Sequence, residues 1–551
     1  MSRHPGWIGS AVLALPMLAL PQTALAAPSA VSFAQSAPTV EAYDFLEVTL
    51  STSAPDAGNP FTDAAVNGWF ARADSKDRVA VEGFCDSAEG SLFRIRFTPS
   101  SPGSYTYEVT YRQGAFEKSY RGTFRATDGR RRGPVRVDPA FPWHFIWEGT
   151  GEHYYFNGTT AFWLMGWQDE RHIRYSIERL RQLKVNRIRA LLAGKANLFW
   201  GDAVMTGPGF TMALRPWPAE SPESLDQPRL DFTRFNVPYW QKYERMLRFA
   251  RDRDVIISVI FDISTHHAQP GAGSEDERRY YRYAIARLAP FSNVTWDLGD
   301  DLDSFRDEAW THETGTLLHE RDPYKRLATS HPTHREPQDR ASGWFGFTSI
   351  QDWSRAQHAL MLEERQIQLK TGRVIPQANE EYGYEDHYPA WAPAPPGNSA
   401  ETLRRVAWDI AMAGAYGTAG ESARRGTNVW PDTGGGWING RGDDTMVMLK
   451  GYAHMVDFFT SFDWWKTEPH DELVGGGAYC LAKPGEIYAV YLPRAGQVTL
   501  KAEPGRYEAT WFDAFTGDTA PLGDVSVSGS SWTSPKAPGW NDWALLLRRR
   551  P

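Results

Sequence analysis

The sequence predicts a multidomain protein: a central (β/α)8 TIM barrel flanked by an N-terminal and a C-terminal β-sandwich. Three observations carry this. Residues 38–127 hold short runs in which apolar and polar residues alternate. Across 140–463, strand-like runs then alternate with helical ones, and from 467 to 551 the period-two alternation returns.

The chain opens with Met1-Ser-Arg-His, an apolar stretch over 7–20 and the small-residue sequence Ala24-Leu25-Ala26. Residues 1–26 therefore read as a signal peptide to be cleaved, and the mature protein is expected to be periplasmic or secreted; an uncleaved anchor is the alternative. No later stretch approaches the roughly 18 apolar residues that cross a bilayer, so no membrane span is expected. Lys and Arg (59) nearly balance Asp and Glu (67), and the well-mixed charges give no reason to expect nucleic acid. Cys85 and Cys480 fall in different predicted domains, which favours two buried thiols over one bridge. Oligomeric state is not encoded in any feature of the sequence.

The N-terminal domain, 38–127, alternates in Phe45-Leu-Glu-Val-Thr-Leu50, Leu92-Phe-Arg-Ile-Arg-Phe97 and Ser104-Tyr-Thr-Tyr-Glu-Val-Thr-Tyr111, with Ser-Pro and Pro-Gly punctuation. Gly129-Arg-Arg-Arg-Gly133 and the Pro-containing stretch to Pro142 read as a solvated linker. The barrel follows. Strands are expected at 161–166, 186–192, 255–261, 294–298, 327–330, 345–350, 374–378 and 416–420, interleaved with helices at 176–183, 240–251, 276–288, 309–319, 356–369 and 402–413. A last helix is expected at 446–461. Beyond Trp464-Trp465-Lys466, runs such as Ile487-Tyr-Ala-Val-Tyr-Leu492 begin the second small β-domain.

Two strand-like runs end in adjacent carboxylates. Residues 294–296 lead into Asp297-Leu298-Gly299-Asp300-Asp301, and 374–378 lead into Asn379-Glu380-Glu381. In a (β/α)8 barrel the catalytic groups sit where strands end, and a carboxylate pair there suits glycosidic-bond cleavage. One acid must protonate the departing sugar oxygen, while the other attacks the anomeric carbon or activates a water. The 13% aromatic content, with 23 tryptophans, suits stacking on sugar rings. Polar residues at the predicted strand ends are candidate sugar contacts: Trp167 and Asp169 after the first, Asp262 and His266 after the third, His331 after the fifth, Gln351 and Asp352 after the sixth, and Glu421 after the eighth. Tyr384, His387, Trp391, Trp430 and Trp437 lie in loops that can wall a cleft.

Asp300-Asp301-Leu302-Asp303 and His266-His267 bring metal-ligand types near strand ends, but no H-x-H or H-E-x-x-H spacing occurs. No metal or cofactor is expected. No G-x-S-x-G elbow, phosphate loop or dinucleotide fingerprint is present either. The expectation is a glycoside hydrolase acting on a polysaccharide or oligosaccharide. The rivals are a catalytically silent carbohydrate-binding barrel and, further off, a metal-dependent hydrolase of another substrate class.

Several motifs resemble the apiosidase-like glycoside hydrolases. Phe162-Trp-Leu-Met-Gly166 is similar to that family's first-strand signature, and Val185-Asn-Arg-Ile-Arg189 to the second-strand motif of its clan. Trp296-Asp-Leu-Gly-Asp-Asp301 resembles the family's W-x-L-G-G-[DE], and Asn379-Glu-Glu-Tyr-Gly-Tyr-Glu385 its N-G-E-P-x-Y-E. Residues 38–127 resemble the immunoglobulin-like module ahead of some glycosidase barrels, and 467–551 the C-terminal β-domain to which a collagen-binding role has been ascribed in such enzymes; collagen binding is not inferred from it. The resemblance implies a retaining mechanism, with Asp301 as general acid/base, Glu381 as nucleophile, and Arg189 holding Glu381 ionised. It also implies opposite pKa pressures, Glu381 pulled down by the guanidinium and Asp301 pushed up by a neighbouring carboxylate and aromatic cover. Asp300 and Glu380 stand where the family has Gly, and Tyr382 where it has Pro, so Asp300 or Glu380 remains open as the working acid.

Overall fold

A computed structural model describes residues 28, 30–193, 209–211, 213–224, 227–262, 269–333, 339–385, 399–421 and 448–551, apart from the side chains of 419, 421 and 448. Eight short parallel strands form the centre: β1 (Gly158–Thr160), β2 (Arg187–Leu191), β3 (Ile256–Ile260), β4 (Val294–Asp297), β5 (Ala328–Thr329), β6 (Thr348–Gln351), β7 (Gln377–Glu381) and β8 (Tyr416–Glu421). Their pairing runs β5-β4-β3-β2-β1-β8-β7-β6. A single parallel bridge, Ala328 to Phe345, joins the two ends and leaves a nearly closed barrel.

Helices α1 (Glu170–Gln182), α2 (Val237–Arg251), α3 (Glu275–Leu288), α4 (Glu308–Arg321), α5 (Gln357–Lys370), α6 (Ala400–Met412) and α7 (Met448–Phe459) surround it. Their starts are written in the sequence as caps. Asp169, Ser274, Asp307 and Ser399 each accept a backbone N–H from the first turn of α1, α3, α4 and α6. Lys184 after α1 and Asp254 after α2 adopt left-handed φ (60° and 55°), which turns the chain from helix into the next buried strand. Among the described residues no helix lies between β5 and β6.

Several expected elements are displaced: α1 begins at Glu170 rather than 176, and β6 at Thr348 rather than 345. The first strand ends at Thr160, because Phe162-Trp-Leu-Met-Gly166 turns into a 3-10 helix (Leu164–Gly166) rather than extending. The seventh starts at Gln377 and carries its carboxylates within the strand instead of beyond it. The apolar residues 374–376 had suggested the strand, yet ladder pairing with β6 and β8 sets its limits.

On the N-terminal side, two sheets of four and five strands, antiparallel except where Thr39–Glu41 pairs parallel with Arg125–Thr127, face each other across a core that includes Leu46, Phe70, Ile95 and Tyr107. Part of the expected linker is ordered: Val135–Val137 pairs with Phe145–Trp147, which pairs with His153–Tyr154. The sandwich is locked to the barrel by buried charges. Arg96 bonds Glu244 of α2 (2.8 and 2.9 Å), and Arg287 of α3 reaches Asp86 (2.5 Å) and Glu244 (2.6 Å). Such a network is costly to break on one side, since it leaves a buried charge without its partner. At the C-terminal side a six-stranded antiparallel sheet and a two-stranded ribbon enclose a second core, tied to α6 by Arg404 and Asp542 (2.5 Å). Cys85 and Cys480 are buried free thiols. No helix among the described residues is long and apolar enough to cross a membrane.

Candidate active site

The barrel interior holds two stacked layers of charge. In the lower layer Arg187, from the start of β2, lies beside the Phe156 and Phe347 rings. It pairs with Glu380 of β7 and donates to Ser258 Oγ of β3 (2.7 Å). Thr418 of β8 donates to the same Glu380 carboxylate (3.3 Å). Burial alone would raise the pKa of Glu380, but Arg187, then Arg189 and His331, outweigh it and hold the group below its usual value.

In the upper layer Arg189, two residues along β2 and so on the same face, donates through Nη2 to Asp300 Oδ1 (2.5 Å) and lies 3.5 Å from Asp297. Its Nη1 donates to the Glu380 carbonyl (3.3 Å) and stands 3.8 Å from Glu381 Oε2. His331, buried just beyond β5, lies 3.4 Å from Asp300 and 3.5 Å from Glu381, with its Nδ1 3.1 Å from Ser349 Oγ. Burial and Arg189 push its pKa down to about 4, so it is neutral at neutral pH. The Gln351 amide bridges two acids: one end lies 3.3 Å from Glu381 Oε1, and the other 3.1 Å from Asp301 Oδ1.

Two backbone irregularities let adjacent acids share this interior. Successive strand residues normally point to opposite faces. On β7, however, Ile350 pairs with Asn379 and Gln351 with Glu381, so Glu380 is an extra residue in a bulge. Asn379 turns outward to Gln357 of α5 (2.8 Å), while Glu380 and Glu381 both face in. Past β4, Asp300 N donates to the Asp262 carbonyl (2.9 Å) and Asp301 adopts left-handed φ (54°). Asp300 thereby points at Arg189 while Asp301, the more exposed of the two, reaches Gln351.

The titration of the upper layer departs from expectation at one acid. Asp301 is pushed up to about 8, first by burial and then by Asp300 and Glu381, in the expected direction. Glu381 is also pushed up, to about 7, by burial; Arg189 and the Tyr384 hydroxyl pull it down without prevailing. The reason is division of one cation among Asp297, Asp300, Glu380 and Glu381, with Asp300 taking the short contact. Glu380 is the acid an arginine holds ionised. Asp297 is pushed up to about 8 by burial, and Asp300 is raised by burial against the pull of Arg189.

Asp300, His331 and Glu381 each present a ligand atom within 4.8 Å of the others, a spacing able to hold a cation. Arg189 already brings a positive charge to Asp300, at 2.5 Å. The arrangement is thus suited to moving a proton between carboxylates whose charges cannot all coexist.

Residues 211–421, which include β3 to β8 and both acidic motifs, match the apiosidase-like catalytic domain family. The barrel is an apiosidase-like catalytic domain. The protein is accordingly a glycoside hydrolase, and its substrate a carbohydrate. Residues 39–112 match a second family, a domain of unknown function named DUF5060. No curated protein matches the chain. The crystal structure of a Bacteroides vulgatus ATCC 8482 protein, proposed to be a glycoside hydrolase, is similar with a TM-score of 0.74 at 20% identity, covering 93% of this chain and 100% of that one. A structure named as a glycoside hydrolase gives 0.59 at 14%, covering 76% and 97%. A glycoside hydrolase family 5 structure from Bacteroides vulgatus ATCC 8482 gives 0.58 at 14%, covering 76% and 93%. At these identities the likeness is one of fold.

Of the remaining expected sugar contacts in this apiosidase-like barrel, the structure gathers some and disperses others. His331, Gln351 and Tyr384 surround Glu381. Asp262 is buried beside Asp300, its carboxyl pushed up to about 7 by burial against Arg306. Trp167 does not line the cleft as an open platform; it is fully buried, edge-on to His172 (4.6 Å) and Phe210 (5.0 Å). Asp169 is occupied as the cap of α1 and by Arg171 (2.6 Å). Asp352 is similarly taken up by Ser354 and Gln357 at the start of α5. His266, His387, Trp391, Trp430 and Trp437 lie outside the described residues, as does the side chain of Glu421, whose backbone ends β8. Asp297, Arg187 and Ser258 were not singled out from sequence. For Arg187 a signal existed, since Arg-x-Arg on a buried strand places two cations on one face.

Proposed function

We propose that this protein is an exported glycosidase that cleaves a polysaccharide or oligosaccharide by retaining double displacement, with Asp301 as acid/base and Glu381 as nucleophile. The observation that carries this reading is the inward pair Asp301 and Glu381, spanned by the single amide of Gln351 at the C-terminal mouth of the barrel. Retention expects the two carboxyl groups about 5–5.5 Å apart, so that one can attack the anomeric carbon directly, whereas inversion needs room for a water between them. The two acids titrate in the order the roles require. Asp301, at about 8, keeps its proton at neutral pH, and Glu381, at about 7, loses its own first.

In the first step Asp301 donates its proton to the departing sugar oxygen while a Glu381 oxygen attacks the anomeric carbon. Arg189 and the Tyr384 hydroxyl favour the ionised Glu381. Asp301, now a carboxylate, then takes a proton from water, which displaces Glu381 and releases the sugar with its original configuration. The apolar leader within 1–26 supports the proposal of export.

The test is a pair of variants assayed on glycans and on an activated aryl glycoside. Glu381→Gln is expected to bind glycan and release no product. Asp301→Asn is expected to accumulate glycosyl-enzyme from the aryl substrate and to be rescued by azide, with the azide product retaining the configuration opposite to that formed by direct displacement at the same centre. A wild-type protein that binds a glycan without releasing reducing ends would instead be a binding barrel. N-terminal sequencing of the protein recovered from its native cell fraction tests export.

A further inference from the structure

One side-chain amide stands between the two acids, and its neighbours decide which way it faces. Gln351 ends β6, and the bulge that admits Glu380 sets it opposite Glu381. One end of the amide lies 3.0 Å from the Pro332 carbonyl oxygen, 3.1 Å from Asp301 Oδ1 and 3.3 Å from His331 Nε2. The other end lies 3.3 Å from Glu381 Oε1. A carbonyl can only accept, so the end beside Pro332 is the NH2 group.

The tautomer of His331 selects the same orientation. Ser349 Oγ has a single proton, and it goes to the Glu380 carboxylate, which Arg187 holds ionised. The 3.1 Å contact between Ser349 Oγ and His331 Nδ1 is therefore an N–H donated by the ring. Burial and Arg189 keep that ring neutral at neutral pH, which leaves Nε2 with a bare lone pair toward the amide. Two acceptors, the Pro332 carbonyl and His331 Nε2, thus face the amide nitrogen, and the amide oxygen is left toward Glu381. Around the Asp301 carboxyl, Asp300, Glu381 and Asp303 bring negative charge and Arg189 positive charge. Among the described residues, Gln351 is the group that can donate a hydrogen bond to it.

We propose that Gln351 is a positioning residue for the acid step: its NH2 group donates to Asp301 Oδ1 and so leaves the transferable proton on Oδ2. A proton on Oδ1 would meet an amide hydrogen, whereas an Oδ1 without one accepts it. Asp301 then passes the Oδ2 proton to the departing sugar oxygen as Glu381 bonds to the anomeric carbon and the bond to that oxygen breaks. The resulting carboxylate keeps the same amide bond while it takes the next proton from water. The inference rests on the assignment of Asp301 as acid/base and Glu381 as nucleophile.

Neutron diffraction from deuterium-exchanged crystals of the wild-type protein at neutral pH is expected to show two deuterons on the Gln351 atom beside Pro332, one on His331 Nδ1 and one on Asp301 Oδ2. A deuteron on Asp301 Oδ1, or an amide oxygen beside Pro332, would overturn the proposal. Kinetics supply a readout that a merely structural role would not move. Phenyl and dinitrophenyl glycosides of the sugar that the wild-type protein releases differ in how far the leaving oxygen needs a proton. Gln351→Met, similar in volume and without an N–H, is expected to lose at least about tenfold in kcat/KM on the phenyl glycoside and to stay within about threefold of wild type on the dinitrophenyl one. Equal losses on the two substrates, or none, while Asp301→Asn favours the dinitrophenyl glycoside, would overturn this proposal alone. Absence of that preference from both variants would overturn the assignment of Asp301 and this proposal with it.

Discussion

The two acidic doublets, Asp300-Asp301 after β4 and Glu380-Glu381 in β7, are alike in sequence and differ in what surrounds each member. In both, one acid faces an arginine at short range and the other meets the Gln351 amide. Glu380 has Arg187 largely to itself, with Thr418 adding a donor, and is held ionised. Asp300 shares Arg189 with three other carboxylates, and its pKa is raised despite a 2.5 Å contact. A short ion pair thus does not guarantee a low pKa; the ratio of cations to carboxylates within the buried cluster decides it.

The comparison can be broken most severely at Glu381. Glu381→Gln is expected to lower kcat by about four orders of magnitude or more with the fold intact, whereas Glu380→Gln should act chiefly on stability. Losing Glu380 leaves Arg187 as a buried charge without its partner, which should cost about 3–5 kcal/mol in denaturant unfolding. If Glu380→Gln instead retained full stability and lost all turnover, the roles within that doublet would be exchanged.

Arg189→Lys comes next, with an expected loss of about 100-fold in kcat/KM, since an ammonium cannot serve Asp300 and Glu381 at once as the planar fork does. Circular dichroism and steady-state kinetics on the same preparation separate this from misfolding.

The pH profile tests the sharing of charge. The working form has Glu381 ionised and Asp301 protonated, so kcat/KM should fall as pH drops below about 7 and again as it rises above about 8. Asp300→Asn removes the negative neighbour that raises Asp301 and releases Arg189 toward Glu381. Both limbs should then move to lower pH, and an unmoved profile would mean that Asp300 is electrically silent. The smallest effect is expected from Thr418→Val, about 1 kcal/mol in stability with kcat unchanged, because the lost hydrogen bond serves only Glu380.

Sequence alone was sufficient for what local periodicity and capping encode. The order of eight strand-like runs and seven helices, the return to period-two alternation on either side, and the two acidic motifs at strand ends all follow from side-chain type and spacing, and α1, α3, α4 and α6 begin at capping residues visible in the chain. What required the assembled barrel was the direction and charge of each acid. A bulge at Glu380 and a left-handed turn at Asp301 are properties of pairing and backbone, so alternation alone would have sent one member of each doublet outward. The division of Arg189 among four carboxylates, the capture of Glu380 by Arg187 and the enclosure of Trp167 depend on residues more than a hundred positions apart or on neighbours packed from other elements. Local spacing carries no record of how many charges will meet in one buried volume, and that number sets the proton inventory of the site.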